Sequence, residues 1–199
     1  EKAKKLGYKY IGISDHSPST KSRGFREVEK IIIGTRETMD RLNKTEKDIE
    51  VLYGYEVNIL ADAEISLPDE LLKQLDYAIG SIHGAFTQDR DMITRRLIAA
   101  CENPYINIIG HPSGRLINER EACDVNWSEL FAAAKDNGTI IEINSQPNRL
   151  DLAEDLVEQA IKRGINIMVN TDAHSTEQLA FMKNGVDVAR RGWGEARHI

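Results

Sequence analysis

The chain has 199 residues, 41% of them hydrophobic and 29% charged, enough to bury a substantial core as one soluble domain. A formal charge of −6 argues against a generally basic, nucleic-acid-coating surface, although bound divalent cations would invert the local field and admit an anionic substrate. No apolar run approaches the roughly 20 residues that span a bilayer, and two cysteines outside any C-x-x-C pattern suit a reduced, cytoplasmic setting.

In chain order, Lys2 to Leu6 forms the last turns of a helix stopped by Gly7, and Tyr8 to Ile13 forms a strand. Arg26 to Leu42 is a long amphipathic helix, a second strand lies within Ile49 to Ile59, and Pro68-Asp-Glu opens a short helix. Asp76 to Ile82 is a strand, Asp91 to Cys101 a helix ended near Asn103-Pro104, and Tyr105 to Ile109 a strand. Trp127 to Lys135 is helical, Asn137-Gly138 turns the chain, and Thr139 to Ile143 is a strand. Ala153 to Lys162 is helical, Gly164 stops it, and Ile165 to Asn170 is the last strand. This alternation predicts βαβ units and a mainly parallel sheet, and near-continuous apolar strands such as Ile165 to Val169 suit a sheet covered on both faces.

The polar residues at the strand ends carry the chemistry. Asp15-His16, Glu56, His83, His111, Glu142 with Asn144, and Asp172 with His174 all lie where apolar runs stop. Four of the five histidines are in this set. In a parallel α/β architecture those ends share one face, where active sites form. Any one of them alone is more simply a helix cap or a satisfied polar residue. Together they point to metal chemistry. Imidazole and carboxylate without thiolate suit Zn²⁺, Mn²⁺ or Fe, and a carboxylate such as Glu56 can bridge two ions. Clustered ions activate water for attack on a phosphoester. No Ser-His-Asp arrangement, phosphate-cradling glycine loop or dinucleotide fingerprint competes.

The stretches "ISDHS", "YGYEVNIL", "GSIHGAF", "GHPSGR" and "NTDAHS", in this order and spacing, resemble the PHP (polymerase and histidinol phosphatase) domain. The connecting text, including "EINSQPNRLDL" and "GVDVARRGW", is most similar to the C-terminal PHP domain of bacterial family X DNA polymerases. The resemblance implies a distorted (β/α)7 barrel with up to three divalent metal ions at the strand C-termini. It implies metal ligands at His16, Glu56, His83, His111, Asp172 and His174. Glu56 would bridge two ions, with His83 and His111 completing one site, Asp172 on the other side, and His16 and His174 at a third. Glu56, His83 and Asp172 carry the catalytic expectation, and Arg115 and Arg149 are the expected phosphate contacts. The implied activity is Mn²⁺-dependent 3′-5′ exonuclease action on DNA 3′ ends, beside an upstream polymerase domain in the same chain. Two other readings share the ligands: a histidinol-phosphatase-type phosphomonoesterase, and a non-catalytic scaffold for a polymerase.

The family pattern starts with a strand carrying His-x-His and then an Asp, whereas this sequence has no His before His16. Residues 1–199 are therefore expected to be a single PHP domain lacking its first strand, an N-terminally truncated fragment of a larger polymerase chain. Two unpaired sheet edges, incomplete metal sites and weak or absent activity of the fragment alone follow from that expectation.

Overall fold

The chain alternates strand and helix through its length, as a computed structural model describing residues 1–199 shows. The strands are β1 (Tyr10–His16), β2 (Glu50–Asn58), β3 (Tyr77–Ser81), β4 (Ile108–Ile109), β5 (Ile140–Asn144) and β6 (Ile167–Asn170). The helices are α1 (Lys2–Lys5), α2 (Thr20–Arg23), α3 (Phe25–Thr45), α4 (Asp69–Leu72), α5 (Arg90–Glu102), α6 (Trp127–Asn137), α7 (Glu154–Lys162) and α8 (Met182–Arg191). Short 3-10 turns occupy Glu177–Phe181 and Ala196–His198. No helix is long and apolar enough to cross a membrane.

All five pairings are parallel and the strands follow sequence order, β1 to β6. The sheet curls into a half-barrel and stays open, with β1 and β6 at its two edges. Six parallel strands in a half-barrel, with helices between them, are the expected distorted β/α barrel architecture.

Local chemistry explains the helices. The Asp89 carboxylate caps α5 by accepting the Met92 N–H at 2.8 Å. Ile93, Leu97, Ala100 and Cys101 then recur on one face of α5 and are buried. Gly138 takes a left-handed φ of 69° to end α6, a conformation that costs glycine no Cβ clash. One hydrophobic cluster of 31 buried residues runs from Val28 to Ala189, so the C-terminal third packs into the same core as the rest.

The structure corrects several sequence boundaries. β1 extends to His16 rather than ending at Ile13, because its ladder with β2 continues to the pair His16–Glu56. The expected strand from Tyr105 contracts to two residues, since Asn103 Oδ1 captures the Tyr105 N–H at 2.9 Å and turns the chain. The short helix α2 and the whole of α8 carry no assignment in the sequence reading. In α8, Gly185 interrupts the helical pattern, but a Cβ there would come within 2.5 Å of Val169 Cγ1. The glycine lets the helix lie close against β6.

Burial pushes the Cys101 thiol up to about 12. Only the thiolate is a good nucleophile, so Cys101 is expected to resist iodoacetamide at pH 8 in the folded protein and to label after denaturation. Mass spectrometry of the alkylated peptides reads this directly.

Candidate metal centre

Parallel pairing brings the first two predicted ligands together. His16 ends β1 directly beside Glu56 on β2, so both side chains leave the same sheet face. His83 and His111 follow β3 and β4 by two residues each and arrive from the other side. The Glu56 carboxylate is the meeting point. Its Oε1 lies 2.9 Å from His111 Nε2 and 3.2 Å from His83 Nε2, and its Oε2 lies 3.5 Å from His16 Nδ1. The rings stack edge to face, His16 on His83 at 4.9 Å and His83 on His111 at 5.2 Å between centroids. His16, Glu56 and His83 each offer a ligand atom within 4.8 Å of the others.

The site deepens from rim to floor. The His16 side chain is 62% exposed, that of Glu56 14% and that of His111 3%. Burial pushes the Glu56 carboxyl up, but hydrogen bonds from His111 and His83, and the charge they carry, outweigh it and hold the group well below the usual carboxylate range. Burial lowers the affinity of the His111 imidazole for a proton, yet Glu56, with help from the charge of Glu142, raises it above the ordinary histidine value.

The donor set fits a divalent cation. His83 Nδ1 lies 2.6 Å from Asn58 Oδ1, which can only accept, so that nitrogen carries the hydrogen. In the neutral ring the Nε2 lone pair then faces Glu56 Oε1 at 3.2 Å, acceptor to acceptor. Only a proton or a cation between them makes that approach attractive. An amide oxygen fixing the second nitrogen of a histidine is also how ligating imidazoles are held.

Asp172 and His174 form a second group after β6. Asp172 Oδ2 accepts from Asn144 Nδ2 at 3.0 Å and lies 3.6 Å from Arg149 Nε. His174 Nδ1 is 2.8 Å from the Asp172 carbonyl, which accepts, so in the neutral ring Nε2 keeps its lone pair, on a side chain that is exposed. His111 and Asp172 both have left-handed backbones, with φ of 27° and 48°. Such strain in non-glycine residues persists only where surrounding contacts over-determine it, and it gathers at functional sites.

Of the two predicted phosphate contacts, Arg149 sits at the centre beside Asp172, and its Nη1 is buried without a partner. Arg115 has a largely structural setting. Its Nε donates to the Arg149 carbonyl at 2.8 Å and its Nη2 to the Leu150 carbonyl, tying the "GHPSGR" loop to the "QPNRLD" loop. Asp151 completes that clasp by accepting the Ser113 and Gly114 N–H groups at 3.1 and 3.0 Å. Burial raises the Asp151 carboxyl above its ordinary value.

Sequence reasoning assigned no role to Asn58, Asp151, Gln146 or Asn170. A signal for their kind did exist in β5, where Glu142 and Asn144 are polar residues on one face of a buried strand. Gly110, just before His111, is required by close packing, because a Cβ would come within 2.7 Å of Ile79 Cγ2.

Comparison with known proteins agrees with this geometry. The family model for the PHP domain matches residues 1–146. The chain is 36% identical over 195 residues to the DNA polymerase/3′-5′ exonuclease PolX of Bacillus subtilis, covering 98% of this chain and 34% of that protein. It is 31% identical over 152 residues to a probable phosphatase of Thermoanaerobacter sp. strain X514, covering 71% of this chain and 60% of the relative. The chain thus spans about a third of the first relative and 60% of the second. Its fold resembles the crystal structure of histidinol phosphate phosphatase from Lactococcus lactis, complexed with zinc, L-histidinol and phosphate. That likeness has a TM-score of 0.62 at 13% identity, over 98% of this chain and 86% of the other. With imidazoles from three strand ends gathered on one carboxylate, and a matched segment that contains all of them, the chain belongs to the PHP domain family.

Proposed function

We propose that this chain is a metal-dependent phosphoesterase module that shortens DNA from the 3′ end, working in one polypeptide with a family X polymerase domain. One observation carries the phosphoesterase part: Glu56 stands between His16, His83 and His111, a thiolate-free donor set suited to divalent cations. The 36% identity with PolX across 98% of the chain supports the DNA substrate and the polymerase partner.

His16, Glu56, His83, His111, Asp172 and His174 would hold the ions, with Mn²⁺ proposed as the activating metal and Zn²⁺ or Fe as other candidates. When bound, such ions supply Lewis acidity and a nucleophilic water at neutral pH. The chain's own groups do the rest. Asn58 holds the His83 ring in place. Glu56 keeps three imidazoles converged. Arg149 presents a buried, unpartnered Nη1 beside Asp172, suited to a phosphate oxygen. Arg115 supports that arginine by holding its backbone, and its remaining terminal nitrogen is proposed as a secondary phosphate donor.

A second reading, a small-molecule phosphomonoesterase, draws on the 31% identity with a probable phosphatase. The two are separated by giving the complete gene product Mn²⁺ with either 5′-labelled single-stranded DNA or histidinol phosphate. Progressive shortening of the DNA, stopped by EDTA, is the expected result. Faster phosphate release from histidinol phosphate selects the second reading. Metal uptake without hydrolysis of either compound leaves the scaffold role.

A further inference from the structure

We propose that Glu142 is a positioning residue that couples the two halves of the centre, reaching His111 through its backbone and Asp172 through Asn144. The proposal rests on the metal-dependent reading above.

Glu142 and Asn144 alternate along β5 and so share one face, and both are buried, Glu142 being 3% exposed. A carboxylate so deep in the fold needs donors on both oxygens. It has them. Oε2 accepts the His111 backbone N–H at 2.6 Å and Asn144 Nδ2 at 3.4 Å, and Oε1 accepts Asn170 Nδ2 at 2.8 Å. With its oxygens filled by donors, Glu142 acts as an anchor and is not itself poised as a ligand.

Asn144 carries the connection onward. Its Oδ1 accepts the Gln146 N–H at 3.1 Å, which fixes the amide so that Nδ2 faces the two carboxylates. One Nδ2 hydrogen serves Glu142, and the other serves Asp172 Oδ2 at 3.0 Å. The two residues reached in this way, His111 and Asp172, are also the two predicted metal ligands with left-handed backbones, at φ 27° and 48°. One buried carboxylate therefore stands behind the conformation of one and the side-chain direction of the other. Hydrogen bonds that orient metal-binding side chains typically change affinity about 10- to 100-fold when lost.

The test is a Co²⁺ titration of the complete gene product, followed by the visible absorption of the bound ion. Three variants accompany the wild type: Glu142→Gln, Asn144→Ala and the double variant. Glu142→Gln keeps size but turns an NH₂ toward a donor, and is expected to weaken Co²⁺ binding about 10- to 100-fold with an altered spectrum. Asn144→Ala cuts only the branch to Asp172 and is expected to weaken it about tenfold. The double variant should be no worse than Glu142→Gln, because the two residues act in series. Should Glu142→Gln fail to fold, Glu142→Asp takes its place: it keeps the charge but draws the carboxylate back by one methylene from the His111 N–H and from Asn144, and is expected to weaken Co²⁺ binding about tenfold. Wild-type affinity and spectrum in the folded variants would overturn the positioning role alone. No cobalt uptake by the wild type would remove the metal-dependent reading, and this proposal with it.

Discussion

Glu56→Gln is expected to lower phosphoester hydrolysis at least about a hundredfold, about 2.7 kcal/mol of transition-state stabilisation. The substitution is nearly isosteric, so the loss comes from charge and donor chemistry. Glu56 Oε1 serves His111 at 2.9 Å and His83 at 3.2 Å, while Oε2 faces His16 at 3.5 Å. A carboxamide offers one oxygen where the carboxylate offers two, and it carries no charge to balance the cations that the imidazoles would share. Losses at least as large are expected for His83→Ala and for Asp172→Ala, which remove a donor from either side of the centre. The measurement is kcat on 5′-labelled DNA at saturating Mn²⁺, with thermal melting showing that each variant folds. Wild-type turnover in any of the three folded variants would sink the assignment of these residues to catalysis.

Arg96→Ala is expected to be the most destabilising single change, by about 3 to 5 kcal/mol. Arg96 is 1% exposed and has no carboxylate partner. Its guanidinium donates instead to backbone and amide oxygens, Nη2 to the Ile59 carbonyl at 2.6 Å, Nη1 to the Gly84 carbonyl at 3.1 Å and to Gln88 Oε1 at 2.9 Å. Those carbonyls follow β2 and β3, the strands that deliver Glu56 and His83. Alanine would leave buried acceptors without donors and open a cavity, two costs that add. Arg96→Lys keeps the charge but lacks the planar fork that reaches both loops, so it is expected to recover only part of the loss. Urea unfolding of the two variants beside the wild type gives the comparison. Equal midpoints for Arg96→Ala and wild type would show that the loops hold themselves.

The parallel architecture was legible because apolar runs alternate with stretches of helical spacing, several of them ended by Gly7, Asn103-Pro104, Asn137-Gly138 or Gly164. That same reading brought His16, Glu56, His83 and His111 to one face, since strand ends in a parallel sheet point one way. Pairing was not legible. The ladder that carries β1 out to His16 belongs to β2, and the hydrogen bond that turns Tyr105 out of β4 belongs to the Asn103 side chain. α8 was hidden for a related reason: Gly185 looks like a breaker until its tight packing against Val169 is visible. Arg115 looked equivalent to Arg149 in sequence, and only tertiary contacts separate a loop tie from an arginine that lies beside Asp172 with an unpartnered Nη1. Sequence-local rules see what a residue is able to do; cross-strand contacts decide which of those things it does.

The open sheet has a dynamic corollary. In residues 1–199 taken alone, β1 is hydrogen-bonded on one side only, so alternate amides along it face away from β2. Those amides should exchange with deuterium through local fluctuations rather than through global unfolding, while amides of β3 and β5, flanked on both sides, should exchange last. His16 is the last residue of that strand. A fraying event that peels β1 from its neighbour would withdraw one imidazole and leave His83 and His111 in place. For residues 1–199 taken alone, the rim of the centre would therefore breathe while its floor would not, and residence times at the two depths should differ.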